Sequence, residues 1–299
     1  GKNTSSWPRP TRRGTLAQFP PEVHRLIEAA ITEDQTFNDP TTQALVPPEI
    51  RGTGFLRAKA DGVLAGVDVA MEVFHRVDPA LEARVLLTDG SPLSPGDDIG
   101  TVTGSAAGIL RAERIALNFL QRMSGVASDT NRYVQAVQGL KARIVDTRKT
   151  APGHRYLDKY AVRMGGGHNH RLNLADGILI KDNHIQANRF REMGLKQVIE
   201  LALQQASHTI KVEVEVETLE QVQEALDAGA HIIMLDNMSV GLMREAISLI
   251  GDRAVVEASG GITYATVRAV AETGVDLISI GGLTHSVTAL DISLDLEFE

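Results

Sequence analysis

The 299-residue sequence contains no cysteine. That absence excludes disulfides, thiolate metal sites and a cysteine nucleophile, so any metal must be held by histidine or carboxylate groups. It fits a reducing compartment, and a cytoplasmic location is expected. No apolar run approaches the roughly 20 residues that span a bilayer, and the stretch Gly1 to Gly14 is polar and basic rather than like a signal peptide. A soluble protein with no membrane partner is therefore expected. Positive charge is also in short supply: 30 Lys and Arg face 38 Asp and Glu, a net charge of −8. A general nucleic-acid binder is disfavoured by that balance. Any cluster of cations must then have a local reason. What the chain does have is 43% apolar residues, enough to bury the core of one large domain or two moderate ones.

Pro8, Pro10, Pro20 and Pro21 punctuate the start, and residues 1–19 read as a loose arm ahead of an amphipathic helix through Val23, Leu26, Ile27 and Ala30. Strand-like runs at Gly54–Ala58, Gly62–Ala65, Ala83–Leu87 and Ile99–Val102, separated by Asp-Gly and Pro-Gly turns, predict a small β-rich domain. A helix is predicted from Leu110 to about Val137, with apolar positions Ala116, Leu120 and Met123 and an interruption near Gly125. Beyond Lys141 the pattern becomes strand, loop, helix, repeated. The strand candidates are Ala142–Asp146, Gly177–Lys181, Ile210–Glu215, His231–Asp236, Ala254–Glu257 and Leu277–Ile280. Thr218–Ala228 opens with the capping-box pattern Thr218-Leu-Glu-Gln221. Such units imply parallel strands with right-handed crossovers, and too few strands for a closed eight-stranded barrel. The fold expected is α/β, with an open, irregular barrel. Glu215, Asp236 and Glu257 recur every 21 residues and read as polar residues ending successive strands at one barrel mouth.

The same strand ends carry Arg148 and Lys149, then His170 and Arg171 after a three-glycine run, then Lys181. In an otherwise acidic chain their convergence calls for a polyanion. Arginine grips carboxylate or phosphate with a two-pronged fork while lysine acts as a point charge, so the mixture suits a ligand bearing both groups. Each residue taken singly has an ordinary explanation: a dibasic pair is usually a solvated turn, and a lone histidine is usually structural. Placement after strands changes the odds. Glu215 and Asp236 would face this wall and hold ribose hydroxyls or magnesium on a diphosphate. Glycine-rich loops follow the last two strands, at Glu257–Ile262 and Ile280–Ser286, where barrels commonly hold phosphate on backbone N–H groups.

Ten segments in order, among them Glu113-Arg-Ile-Ala-Leu-Asn-Phe119, Asp146-Thr-Arg-Lys-Thr150, Gly165–Arg171, Leu179–His184, Met234-Leu-Asp-Asn237 and Glu257–Ile262, closely resemble the quinolinate phosphoribosyltransferase family. The likeness runs from about residue 22 to the end. It implies an N-terminal α/β sandwich domain over residues 1–128 (the loose arm included), a type II phosphoribosyltransferase-like barrel over 129–286, and a tail, 287–299, that returns to the first domain. It implies homodimers with shared active sites, and leaves a higher oligomer open. The implied substrates are quinolinate and phosphoribosyl pyrophosphate, with Mg2+ as cofactor. Arg148, His170, Arg171 and Lys181 would bind quinolinate, together with Arg114 from the neighbouring subunit. Lys149, Lys181, Glu215 and Asp236 would be catalytic, with Glu215 and Asp236 also near the metal. Ser259, Gly260, Gly261, Gly281 and Gly282 would hold phosphate. Departures from the family pattern are His154, Gly282 and a shortened Glu33–Thr42 segment. The rivals are a relative acting on nicotinate or associated with molybdenum transport, a Schiff-base aldolase using Lys181, and a non-enzymatic anion sensor.

Overall fold

The computed structural model describes residues 19–299, so residues 1–18 of the expected arm lie outside the described residues. In chain order the strands are β1 (Arg51–Ala58), β2 (Gly62–Val63), β3 (Glu82–Val85), β4 (Pro92–Leu93), β5 (Asp98–Ser105), β6 (Arg143–Val145), β7 (Ile178–Ile180), β8 (Val212–Val216), β9 (Ile232–Asp236), β10 (Val255–Ser259), β11 (Leu277–Ser279) and β12 (Ile292–Phe298). The helices used below are α1 (Pro21–Glu33), α2 (Pro40–Leu45), α3 (Val67–Val77), α4 (Ala106–Ala136), α5 (Arg155–Met164), α6 (Asp182–Gln186), α7 (Leu195–Gln205) and α8 (Leu219–Ala228). The described residues divide into two compact units, 19–129, 151–166 and 286–299 in the first and 130–150 with 167–285 in the second.

In the first unit an antiparallel sheet has the order β12-β1-β5-β3. Alternate residues of β1, including Leu56 and Ala58, point inward, as expected of a sheet with one face on a core. That core gathers Ile27 of α1, Phe74 of α3 and Leu120 of α4. The tail strand β12 pairs with β1 from Gly52↔Phe298 to Ala58↔Ile292. Residues 151–166 also pack here, where the sequence division at 128/129 left them with the barrel. The cause is the apolar face of α5, whose Leu157, Tyr160, Ala161 and Val162 join the first core. The expected interruption near Gly125 is absent, since α4 is continuous. Gly125 serves close approach instead: a Cβ there would run into the carbonyl oxygen of Thr288.

The second unit is a six-stranded sheet in the order β6-β11-β10-β9-β8-β7, all its pairs parallel. Its short strands are largely apolar, with Val212, Val214, Ile233, Leu235, Val256 and Ile278 buried, as parallel strands covered on both faces require. The cap at Thr218 forms as its sequence demands: its side chain accepts the Gln221 N–H at 3.2 Å, and Gln221 Oε1 accepts the Thr218 N–H at 3.3 Å. One expectation fails in the register. Glu215 and Glu257 both stand level with Met234, while Asp236 stands level with Ser259. Equal spacing in sequence is therefore not equal depth. Glu257, although level with Glu215, is fully buried against His170 and Glu213 rather than at the mouth.

Candidate active site

The C-terminal ends of the barrel strands enclose a cleft of about 760 Å³ within the second unit. Arg148, Lys149, His170, Arg171, Lys181, Glu215, Asp236, Ser259, Gly260, Gly261, Gly281 and Gly282 all line it. Behind β6 the chain turns at Asp146, which is fully buried, and delivers Arg148 and Lys149. The Lys149 backbone is held from both sides: its N–H donates to Thr147 Oγ1 at 3.1 Å, and its carbonyl accepts the Thr284 hydroxyl at 2.8 Å.

The loop carrying His170 and Arg171 is tied to that same turn. His168 N–H donates to Ile144 O at 2.8 Å and His168 O accepts from Asp146 N–H at 3.1 Å. Asp146 Oδ2 accepts from Asn169 Nδ2 and Oδ1 from the His170 N–H, each at 2.7 Å. The His170 ring then meets two buried carboxyls, with Nε2 3.0 Å from Glu213 and 3.3 Å from Glu257. Burial works against charging the ring, but the bonds to Glu213 and then Glu257 outweigh it and push His170 up to about 10. Against that, the Arg171 N–H donates to Nδ1 at 2.9 Å. A fixed backbone donor cannot turn away, so this contact favours the tautomer with the proton on Nε2. Glu257 is itself raised, first by burial and then by its hydrogen bond to Glu213. The Arg171 guanidinium donates to Gly177 O at 3.2 Å, and burial followed by the charge of Arg148 lowers its pKa.

Across the cleft, burial and then the hydrogen bond and charge of Asp236 push Glu215 up to about 7, with Lys181 opposing. Gly260 and Gly261 have φ of +88° and +65°, and a Cβ on Gly260 would lie 2.5 Å from Asn237 Oδ1 and 2.8 Å from Asp236 Oδ1. Only glycine fits that turn. A Cβ on Gly281 would come within 3.2 Å of Lys149, whereas Gly282 faces open space.

Tyr133, Asn237 and His285 also line the cleft and were not singled out in sequence. Asn237 stands next to Asp236 in left-handed backbone, φ +52°, which an Asn after a strand-end Asp could have signalled. His285 ends the second glycine loop. Tyr133 sits on α4, where helical periodicity gives no hint of a site. Arg114 does not line this cleft among the described residues. It is exposed in the first unit, in a hollow of about 290 Å³ with Arg111, Leu110 and residues of the Asp34–Pro40 turn. The shortened Glu33–Thr42 segment forms that hollow's rim, with Asp39 capping α2 through the Thr41 and Thr42 N–H groups at 3.0 and 3.2 Å.

An open parallel α/β barrel with cations on one side of its mouth, a carboxyl pair on the other and glycine turns between defines an enzyme-like binder of a ligand carrying several anionic groups. Residues 39–124 match the family model "Quinolinate phosphoribosyl transferase, N-terminal domain", and residues 126–295 match its C-terminal domain. The chain belongs to the quinolinate phosphoribosyltransferase family. It is 41% identical to quinolinate phosphoribosyltransferase [decarboxylating] 2b, mitochondrial, of Nicotiana tabacum, covering 97% of this chain and 88% of the relative. It is also 41% identical to the probable nicotinate-nucleotide pyrophosphorylase [carboxylating] of Bacillus subtilis, covering 92% and 93%. The crystal structure of NadC from Streptococcus pyogenes superposes with a TM-score of 0.89 at 40% identity, covering 95% of this chain and all of that one.

Proposed function

We infer that this protein transfers the phosphoribosyl group of phosphoribosyl pyrophosphate to the ring nitrogen of quinolinate, with loss of carbon dioxide and pyrophosphate, giving nicotinate mononucleotide for NAD biosynthesis. The observation that carries this reading is the joining of Arg148, His170, Arg171 and Lys181 with two glycine phosphate turns in one cleft. The acceptor nitrogen is a weak nucleophile beside a carboxylate, so the bond from ribose C1 to pyrophosphate breaks ahead of the new C–N bond. Catalysis then rests on positioning and electrostatics. Lys149 balances charge on the departing pyrophosphate, while Glu215 and Asp236 fix ribose hydroxyls and favour positive charge on the ring. Once the nitrogen is ribosylated, the pyridinium holds the electron pair left on carbon as carbon dioxide departs, and that carbon then takes a proton.

The donor set fits Mg2+. Glu215 and Asp236 are close enough to share a hydrogen bond and raise the former, a repulsion that a hard dication on oxygen ligands relieves. Bound there with a diphosphate, magnesium would neutralise the leaving group. No helix of the described residues is long and apolar enough to cross a membrane, and we place the enzyme in the cytoplasm, a location the cysteine-free composition fits. Arg114, outside the cleft, fits a homodimer in which each subunit completes its partner's site. Co-refolding Arg114→Ala with Lys181→Ala should then return roughly a quarter of wild-type activity, since about half the dimers are mixed and each has one intact site. No recovery in a mixture verified to contain mixed dimers would reject sharing.

Mass spectrometry of products made with the donor and magnesium tests the reaction. Quinolinate should yield mononucleotide, pyrophosphate and carbon dioxide, and nicotinate should be far poorer, because the Arg148, Arg171 and Lys181 charges exceed the need of one carboxylate. Equal turnover of nicotinate would favour the relative acting on that acid.

A further inference from the structure

Beneath the cationic side of the cleft lies a second layer that the proposed reaction does not use. Asp146 and Glu257 are fully buried and Glu213 is 4% exposed. Burying three carboxyls is costly unless each is bonded, and two of them share a single neighbour. Asp146 takes both the backbone and the flank of the loop, through the His170 N–H and the Asn169 side chain. Glu213 and Glu257 take the ring itself, both at Nε2, while Nδ1 is met by the Arg171 N–H. Both ring nitrogens of His170 thus have partners within the protein, and the peptide that follows the ring carries Arg171 into the cleft.

We propose that Glu213 and Glu257 are positioning residues for the acceptor site: they clamp the His170 ring through Nε2 and so fix the His170–Arg171 segment against the bound dicarboxylate. This rests on the quinolinate reading. The clamp lies on the acceptor side, since Lys149 is held by Thr147 and Thr284 and the glycine turns by backbone bonds of their own, Asn237 N–H to Ser259 O and Thr284 N–H to Gly281 O, and that asymmetry separates positioning from general support of the fold. A metal at His170, Glu213 and Glu257, whose ligand atoms all fall within 4.8 Å of one another, is the competing account. It is disfavoured because Nδ1 accepts the Arg171 N–H, which leaves the proton on Nε2 and no lone pair there for a metal.

The test has two arms. In the first, initial rates of Glu257→Leu and Glu257→Gln are measured with each substrate varied in turn. Leucine should raise KM for quinolinate roughly tenfold or more, the scale of losing a hydrogen bond to a charged group. KM for the phosphoribosyl donor should stay within about twofold, and glutamine, which still accepts from Nε2–H, should restore the acceptor KM. An unchanged acceptor KM, or equal rises for both substrates, overturns the clamp. In the second arm, which needs no variant to fold, 15N NMR of histidine-labelled wild-type protein reads the His170 ring. A proton on Nε2 and an acceptor Nδ1 support the clamp. The reverse tautomer, or a shift on adding Zn2+ or Mg2+ that shows direct ring ligation, overturns it. Should wild-type protein fail to turn over quinolinate, the functional reading falls, while the NMR arm still decides how His170 is held.

Discussion

Asp158 in the first unit and Glu257 in the second are both fully buried carboxyls, yet they are paired in opposite ways. Asp158 meets an arginine fork: Arg122 Nε donates to one oxygen at 3.1 Å and Nη2 to the other at 3.0 Å. Glu257 has a histidine nitrogen and a second carboxyl, Glu213, and its Oε1 is buried without a hydrogen-bond partner in the structure. The first arrangement is one whose disruption, by removal of a single partner, is costly to a fold. The second is poor as a stabiliser and makes sense where a neighbouring cationic surface must be held in place. The lesson is that burial of charge does not by itself mark a site. What the charge is paired with does.

Removing one side of the well-paired bridge should produce the largest effect. Asp158→Ala leaves Arg122 without its fork partner and should cost about 3–5 kcal/mol of stability, measured by denaturant unfolding; a loss below about 1 kcal/mol would erase the contrast with Glu257. Arg171→Ala should do the reverse, weakening quinolinate binding by about 2–5 kcal/mol in calorimetry with little change in melting temperature. Gly260→Ala forces a side chain into left-handed backbone against Asn237 and Asp236, at about 1–3 kcal/mol, and should impair use of the phosphoribosyl donor. Gly282→Ala, with open space at its Cβ, should stay within about 0.5 kcal/mol of wild type, so equal behaviour of the two glycine variants would refute the close-approach argument.

A further test works through pH. Burial and then the nearby Asp89 push Asp68 up to about 6, against an ordinary 3.8. Its folded pKa is raised, so the native state holds its proton longer than the unfolded chain does. The associated stability is present below about 4 and is lost as pH rises through about 6. Asp68→Asn should flatten that part of the stability curve, which unfolding midpoints at pH 4 and pH 7 will show.

Much of the site was legible because its signals are local. Arg148, Lys149 and Lys181 follow apolar runs short enough to be strands, and Gly260 and Gly281 stand in loops whose composition announces a backbone requirement. Glu213 was missed, although Val212-Glu-Val-Glu-Val216 alternates in a way that puts Glu213 on the same face as Glu215. Glu257 was placed at the mouth because spacing in sequence was taken for exposure, whereas exposure depends on what packs over each carboxylate: Glu257 lies level with Glu215, yet His170 and Glu213 cover it. The assignment of α5 failed for a similar reason: amphipathicity tells that a helix has a face to bury, not which core receives it.

By itself the sequence determined the order of strands and helices, the cation-rich turns, the glycine loops and the family, because periodicity, capping and turn chemistry act between residues a few positions apart. The tertiary structure decided which carboxyls are buried, what holds His170, that residues 151–166 belong to the first unit, and the register in which the tail, already expected there from the family resemblance, pairs with β1. Those facts arise from contacts such as Arg57 with Asp295, 238 residues apart, and from strand register, where free energy depends on what meets in space rather than on what is adjacent in the chain.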